Sequence, residues 1–288
     1  MSLLLASVGF GLVTAAVLAL ATVGFTLQFA VTDVLNLAFG AVMIVAAYVA
    51  YWINRAGVSV WLGLVAAAVI GSLVSLVLNR FVYAPFQRRR TSSIALVIVA
   101  LGLTLIIEFG LQAFVGGTSV SYKLSQGPTV GSGGLQLTVV QLVIIGLAVA
   151  AMVAVHALLT FTRLGKAMRA TAANRSLART CGIRSDRVVT VTWLMSGALC
   201  GVAGTVFAMD AGSFNATSAD LFLVLILAAA FLGGPGKAYG AMLGALVIGL
   251  ATEVSAAYVS PAYKDVVAFV LLFAMLAWRP TGLLGDKA

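Results

Sequence analysis

SIALVIVALGLTLIIEFGLQAFV, residues 93–115, carries one ionisable side chain, Glu108, in 23 positions. As a helix it rises about 35 Å, enough to cross a hydrocarbon core of roughly 30 Å. Working outward, apolar runs recur at 5–31, 34–53, 59–79, 138–161, 188–209 and 238–256. Two are shorter. The run 221–232 would rise only about 18 Å, and 265–278 reaches spanning length only by recruiting Pro261, Lys264 and Asp265. A mean hydropathy of +1.14 with 9% charged residues lies far outside the soluble range. The expected fold is therefore all-α: a polytopic integral membrane helix bundle of eight or nine segments, some short or broken. The whole chain, 1–288, is expected to form a single domain. The N-terminal MSLLLASVGF lacks the positive n-region of a cleaved leader and reads as the start of a retained segment.

The net charge of +9 does not point to nucleic acid, because no basic face is interleaved with aromatics on a soluble module. The charge is instead placed by topology. With nine crossings, Arg80, Arg88–Arg90, Lys237, Arg279, Lys287 and the basic residues of 162–187 fall on one side. Arg55, Lys123 and Lys264 fall on the other. Fourteen against three puts the N-terminus outside and the C-terminus in the cytoplasm. The longest outer loop, 116–137, is rich in Gly and Ser and offers little chemistry.

TRLGKAMRATAANRSLARTCGIRSDR, residues 162–187, is the one long polar stretch, with seven Lys and Arg against Asp186. It cannot rest in hydrocarbon and must be a cytoplasmic loop. Asn174 suits a helix N-cap, Gly182 a C′ stop, and Ile183 the apolar residue after that stop. Between them Leu177, Ala178 and Cys181 share one face, while Arg175 and Arg179, four apart, lie on another. So short a helix buries too little apolar area to anchor itself in lipid alone, which favours a knob inserted into a cytoplasmic partner.

Other candidates carry less. GGPGKA at 233–238 superficially resembles a phosphate loop, but the positions needing Gly and Ser/Thr hold Phe231 and Ala238. The glycines suit a tight turn between short helices. His156 has no ligand neighbours in sequence, Cys181 and Cys200 form no metal or disulfide pattern, and the Asn215 sequon is uninformative. No cofactor, metal site or catalytic group is expected. Gly197, Gly201 and Gly204, and Gly240 with Gly244, permit close helix approach, either inside the bundle or at a subunit interface. Three acids, Asp33, Glu108 and Glu253, lie in or beside the bilayer, where each needs a partner, water or a proton. Interruptions at Thr32–Asn36 and Gly233–Lys237 fall in the two halves of the chain, as discontinuous helices beside a transport path can.

Five stretches taken together resemble the LivH-type permeases of branched-chain amino-acid ABC importers. They are VLNLAFGAVMIVAAYVAYWI (34–53), RRRTSSIALVIVALGLTLII (88–107), TRLGKAMRATAANRSLARTCGI (162–183), GGPGKAYGAMLGALVIGLATEV (233–254) and RPTGLLG (279–285). The resemblance implies one half of a permease heterodimer with a LivM-type partner. It also implies two cytoplasmic ATPase subunits and a periplasmic or lipid-anchored solute-binding protein. It assigns the loop 162–187 to coupling, with Ala173, Asn174, Arg175, Leu177, Ala178, Arg179 and Gly182 as contact residues. Pathway candidates are Asn36, Phe39, Glu108 and Glu253. The family commonly has histidine in NLAHG where this chain has Phe39, so the solute class extends to urea, short amides and aromatic compounds. The rival is a secondary transporter or channel driven by an ion gradient, which would ordinarily show a relay of intramembrane ionisable groups.

Overall fold

The computed structural model describes residues 2–89, 91–125, 127–130, 136–279 and 281–284. Arg90 and Lys287 of the charge bias, Pro280 and Gly285 of RPTGLLG, and positions 126 and 131–135 of the outer loop lie outside the described residues. The elements are α1 Ser2–Thr32, α2 Phe39–Arg55, α3 Val60–Leu78, α4 Ala84–Arg88, α5 Ser93–Val115, α6 Val139–Phe161, α7 Arg163–Ala173 and α8 Arg175–Thr180. Then come α9 Ser185–Ala211, α10 Ala219–Gly233, α11 Ala238–Tyr258 and α12 Lys264–Trp278. A π-turn, Asn79–Tyr83, joins α3 to α4. A two-residue antiparallel pair, β1 Thr129–Val130 with β2 Leu137–Thr138, lies in the outer loop.

Seven stretches among the described residues are long and apolar enough to cross a membrane, and α2 and α10 are shorter apolar helices. The protein is a multi-pass membrane protein. Helix α5 leaves Ile98, Leu105, Ile106 and Phe109 exposed, a face suited to lipid and not to water. Helix α2 starts five residues later than its apolar run at 34–53, at Phe39, because Asp33 adopts a left-handed conformation (φ 53°) that ends α1. Asp tolerates that region better than most residues. The last run does recruit Pro261 and Lys264, through a 3-10 turn at Pro261–Tyr263.

The chain divides into two compact units. One comprises Met1–Thr26, Leu124–Ala151 and Leu221–Ala288; the other comprises Leu27–Lys123 and Met152–Asp220. In the second, α9 packs on α3 and α2 backbone to backbone. A Cβ at Gly197 would sit 2.4 Å from the Gly71 carbonyl, one at Gly201 2.1 Å from that of Ala67, and one at Gly204 2.1 Å from that of Met43. The three glycines are thus consumed by packing within this chain. The Ser72 hydroxyl adds a bond to the Leu194 carbonyl at 2.9 Å.

In the first unit, Gly240 and Gly244 on α11 bring it equally close to the Gly233 and Ala229 carbonyls of α10. The turn between those helices places Gly234 at φ 111° and Gly236 at φ 78°, as a tight glycine turn requires. The carbonyls of Leu232 and Gly233 accept the N–H groups of Leu283 and Leu284 at 2.9 and 3.1 Å. The C-terminal segment thereby satisfies part of the open end of α10.

Candidate functional site

The basic loop folds as two helices where sequence reading gave one. Thr162 caps α7 by accepting the Gly165 N–H at 3.0 Å. Gly165 lies against the backbone of Leu158 and Leu159, where a Cβ would come within 2.3 Å of a carbonyl. Arg169 donates to the Leu159 carbonyl, folding α7 back on the end of α6. Ala173 ends α7 exposed, and Asn174 then caps α8 by accepting the Leu177 N–H at 3.0 Å. At the other end Gly182 sits at φ 81°. Its N–H reaches the Arg179 carbonyl and that of Ile183 the Ala178 carbonyl, both at 3.0 Å. These are the two bonds of a Schellman stop.

The expected shared face of Leu177, Ala178 and Cys181 is divided. Ala178 is buried, whereas Leu177 is 61% exposed and Cys181 is exposed too. An alanine therefore holds α8 down while a leucine projects from it. Asp186, in the first turn of α9, holds Arg179 at 2.8 Å and Arg175 at 3.5 Å. Its charge also suits the N-terminal end of the helix dipole. All three side chains are at least one-third exposed, so these pairs orient α8 more than they stabilise the fold.

Sequence reading missed a buried polar cluster at the break between α1 and α2. The Gln28 amide oxygen accepts from the Asn36 amide at 3.4 Å and from the Ser196 hydroxyl of α9 at 3.1 Å. The Tyr83 hydroxyl donates to Asn36 Oδ1 at 2.7 Å, and its ring lies on Trp193 with centroids 5.1 Å apart. Gln87 donates to the Thr32 carbonyl at 3.0 Å, holding the end of α1. Tyr83 is delivered by the π-turn, where the Ala84 N–H reaches back five residues to the Asn79 carbonyl. Pro85 follows at once; it has no N–H and its ring crowds the carbonyl four residues earlier, a recognised cause of a local slip. Not every polar atom here is satisfied: Gln28 Nε2 and Trp193 Nε1 are buried without a hydrogen-bond partner. The sequence signals were the interruption at Thr32–Asn36, which marked Asn36, and Gln28 and Ser196 as polar residues inside apolar runs.

Asn36 and Phe39 both fall in this region, each 2% exposed. The Phe39 carbonyl accepts the Cys200 thiol at 3.3 Å. Glu108, 5% exposed, is hydrogen-bonded to Asp220. Glu253 belongs to the first unit, where it takes the Thr14 hydroxyl at 3.0 Å and pairs with Lys264 at 2.6 Å. Asp33 is exposed. Outside the spans, Tyr122 donates to the Ala47 carbonyl at 2.9 Å and the Lys123 N–H meets Asn54 Oδ1 at 2.7 Å, tying the outer loop to α2. Burial pushes the Tyr122 phenol well above its ordinary range, so the loop latch remains a neutral donor even under alkaline conditions.

Residues 7–276 match the family model described as branched-chain amino acid transport system / permease component. The chain is 32% identical to the high-affinity branched-chain amino acid transport system permease protein LivH of Salmonella typhimurium, across 93% of this chain and 91% of that protein. It is 27% identical to the corresponding permease protein BraD of Pseudomonas aeruginosa, across 96% and 94%. Among solved structures it resembles PsaBC from Streptococcus pneumoniae in complex with Fab, with a TM-score of 0.54 at 12% identity over 93% of this chain and 90% of that one. That last likeness concerns the fold alone.

Proposed function

The chain belongs to the family of branched-chain amino acid transport system permease components, and on that premise we propose that it is the membrane half-channel of an ATP-driven importer in a bacterial cytoplasmic membrane. Its cargo is a branched-chain amino acid or a related small amphipathic solute. The whole chain acts as one permease domain. ATP is hydrolysed by two cytoplasmic subunits, solute is delivered by a periplasmic or lipid-anchored binding protein, and a LivM-type subunit supplies the other half of the path. The chain itself performs no catalysis.

The observation that carries this reading is the tie between α8 and α9 that Asp186 makes across the Gly182 stop. Leu177 is the knob for an ATPase groove, and the Asn174 cap and Gly182 stop fix its angle. Asp186 grips Arg175 and Arg179 and so makes α8 move with α9. Trp193 and Ser196 lie about 10 and 15 Å further along the same helix and hold Tyr83 and Gln28. A push on α8 thus bears on the polar cluster at the α1–α2 break, beside Asn36 and Phe39. Movement of a packed two-state element biased by ATPase closure is a physical basis for coupling. Glu108 and Glu253 are the remaining candidates for a polar lining.

The test is reconstitution in proteoliposomes with and without the ATPases and binding protein. Leucine, isoleucine or valine uptake should require all components and ATP, with urea, short amides and aromatic compounds as competing solutes. Accumulation by this chain alone under an ion gradient would overturn the reading.

A further inference from the structure

A cleft of about 850 Å³ opens between the π-turn with α4 on one side and α8 with the first turns of α9 on the other. Four arginines line it, Arg80 and Arg88 from the first wall and Arg175 and Arg179 from the second, against one carboxylate, Asp186. Asp186 already engages both α8 arginines, which leaves Arg80 and Arg88 with no carboxylate among the lining residues. The cleft lies where the spanning helix Val60–Arg88 ends, on the side that the Lys and Arg bias assigns to the cytoplasm. On the same helix, interleaved with the lining residues Leu76, Arg80 and Ala84 but not themselves lining the cleft, Leu73, Val77 and Phe81 form an exposed apolar stripe, Phe81 at 70%.

We propose that this cleft binds the phosphodiester headgroup of an anionic phospholipid of the cytoplasmic leaflet, with acyl chains running up the stripe of Leu73, Val77 and Phe81. Basic pockets between membrane helices on this side suit such headgroups. Guanidinium forks match phosphate oxygens in geometry as well as charge. The stripe separates this occupant from a soluble anion, which has no use for an apolar surface beside its charge. A bound headgroup bridges two arginines on the α3–α4 side to two on α8, relieving their mutual repulsion and fixing where α8 rests. The site itself does not depend on what α8 contacts.

The experiment measures lipid retained by the purified full complex. Wild type, Arg80→Gln/Arg88→Gln and Arg89→Gln are placed in nanodiscs of phosphatidylcholine doped with phosphatidylglycerol and analysed by native mass spectrometry. Arg89 is exposed and adjacent but does not line the cleft. An arginine near the membrane surface is worth about fivefold in anionic-lipid affinity, so the double variant should retain phosphatidylglycerol about 30-fold more weakly. Arg89→Gln, which removes one surface arginine outside the cleft, should weaken retention by no more than about fivefold. Should the double variant fail to assemble, wild type alone still decides: retention should fall as salt rises and resist millimolar inorganic phosphate. Equal retention in the double variant, equal loss in Arg89→Gln, displacement by inorganic phosphate, or an acidic partner segment found in the cleft without lipid would each overturn the proposal.

Discussion

The Tyr83 hydroxyl donates to Asn36 at 2.7 Å while the Tyr83 ring rests on Trp193, 5.1 Å between centroids. One side chain thereby joins the α1–α2 break to α9. Tyr83→Phe keeps the ring contact and strands Asn36 Oδ1 in a buried site, a cost of about 1–3 kcal/mol. The melting temperature of the purified complex should drop. Uptake per ATP hydrolysed should drop further than that of a control of equal stability loss made in the first unit. A fall in stability with unchanged uptake per ATP would reduce the cluster to packing.

Leu177 and Gly182 separate contact from shape. Leu177 is 61% exposed, so Leu177→Asp should leave thermal stability within about 0.5 kcal/mol of wild type. It should still abolish ATPase stimulation by loaded binding protein, because the new charge must be desolvated in the partner's groove. Nothing lies within 4 Å of a Cβ at Gly182, yet its φ is 81°. Gly182→Val therefore fails through backbone strain, on the order of 1–2 kcal/mol, and tilts α8. Both variants should insert normally and lose coupling. Stimulated hydrolysis and transport at wild-type level would exclude α8 as the coupling element.

The glycines divide sharply by what surrounds them. A Cβ at Gly201 would lie 2.1 Å from the Ala67 carbonyl, whereas at Gly102, Gly110 or Gly146 nothing lies within 4 Å. Gly201→Ala should push α9 off α3 and reduce the folded, detergent-extractable yield severalfold. Gly102→Ala should be neutral or slightly favourable, since helix interiors prefer Ala to Gly by about 1 kcal/mol. Size-exclusion yield and melting temperature of the two variants read this directly. Equal yields would mean that the α3–α9 contact is looser than these distances.

How much of this was legible follows from the physics of each signal. The spans could be read because hydrocarbon demands long apolar runs, and the caps of α8 because Asn174 and Gly182 act locally. The turn at Gly233–Lys237 was legible for the same reason. The start of α2 was legible only in part: Asn36 marks an interruption, but Val34, Leu35, Leu37 and Ala38 around it are as apolar as the residues that follow, and it is the left-handed Asp33 that ends α1. Nor could a helix such as α5, apolar all round, announce which face meets protein and which meets lipid. The cluster was hidden further by separation, with Gln28 and Ser196 168 residues apart. Both are uncharged, so neither stands out by hydropathy as Glu108 does. A second helix, α7, escaped because a basic loop shows no apolar run.

Phe39 is the sharpest test of the path. It lies 2% exposed at the first residue of α2, directly after the break at Asp33 and three residues from Asn36. A path residue should be enclosed in one state of an alternating bundle and reached by solute in another. Its phenyl ring offers apolar area and no hydrogen-bond donor, whereas imidazole brings a donor, an acceptor and a charge that titrates near neutrality. Phe39→His should therefore change the order in which leucine, short amides and aromatic solutes compete for uptake, and make uptake depend on pH between about 6 and 7.5. Burying a polar ring should also cost about 1–3 kcal/mol, so the assays must be run at matched folded protein, with Phe39→Leu as the apolar control. Phe39→Leu should keep uptake flat with pH. If Phe39→His lowers stability while leaving both the solute order and the pH profile unchanged, Phe39 packs the α2–α9 contact and does not line the path.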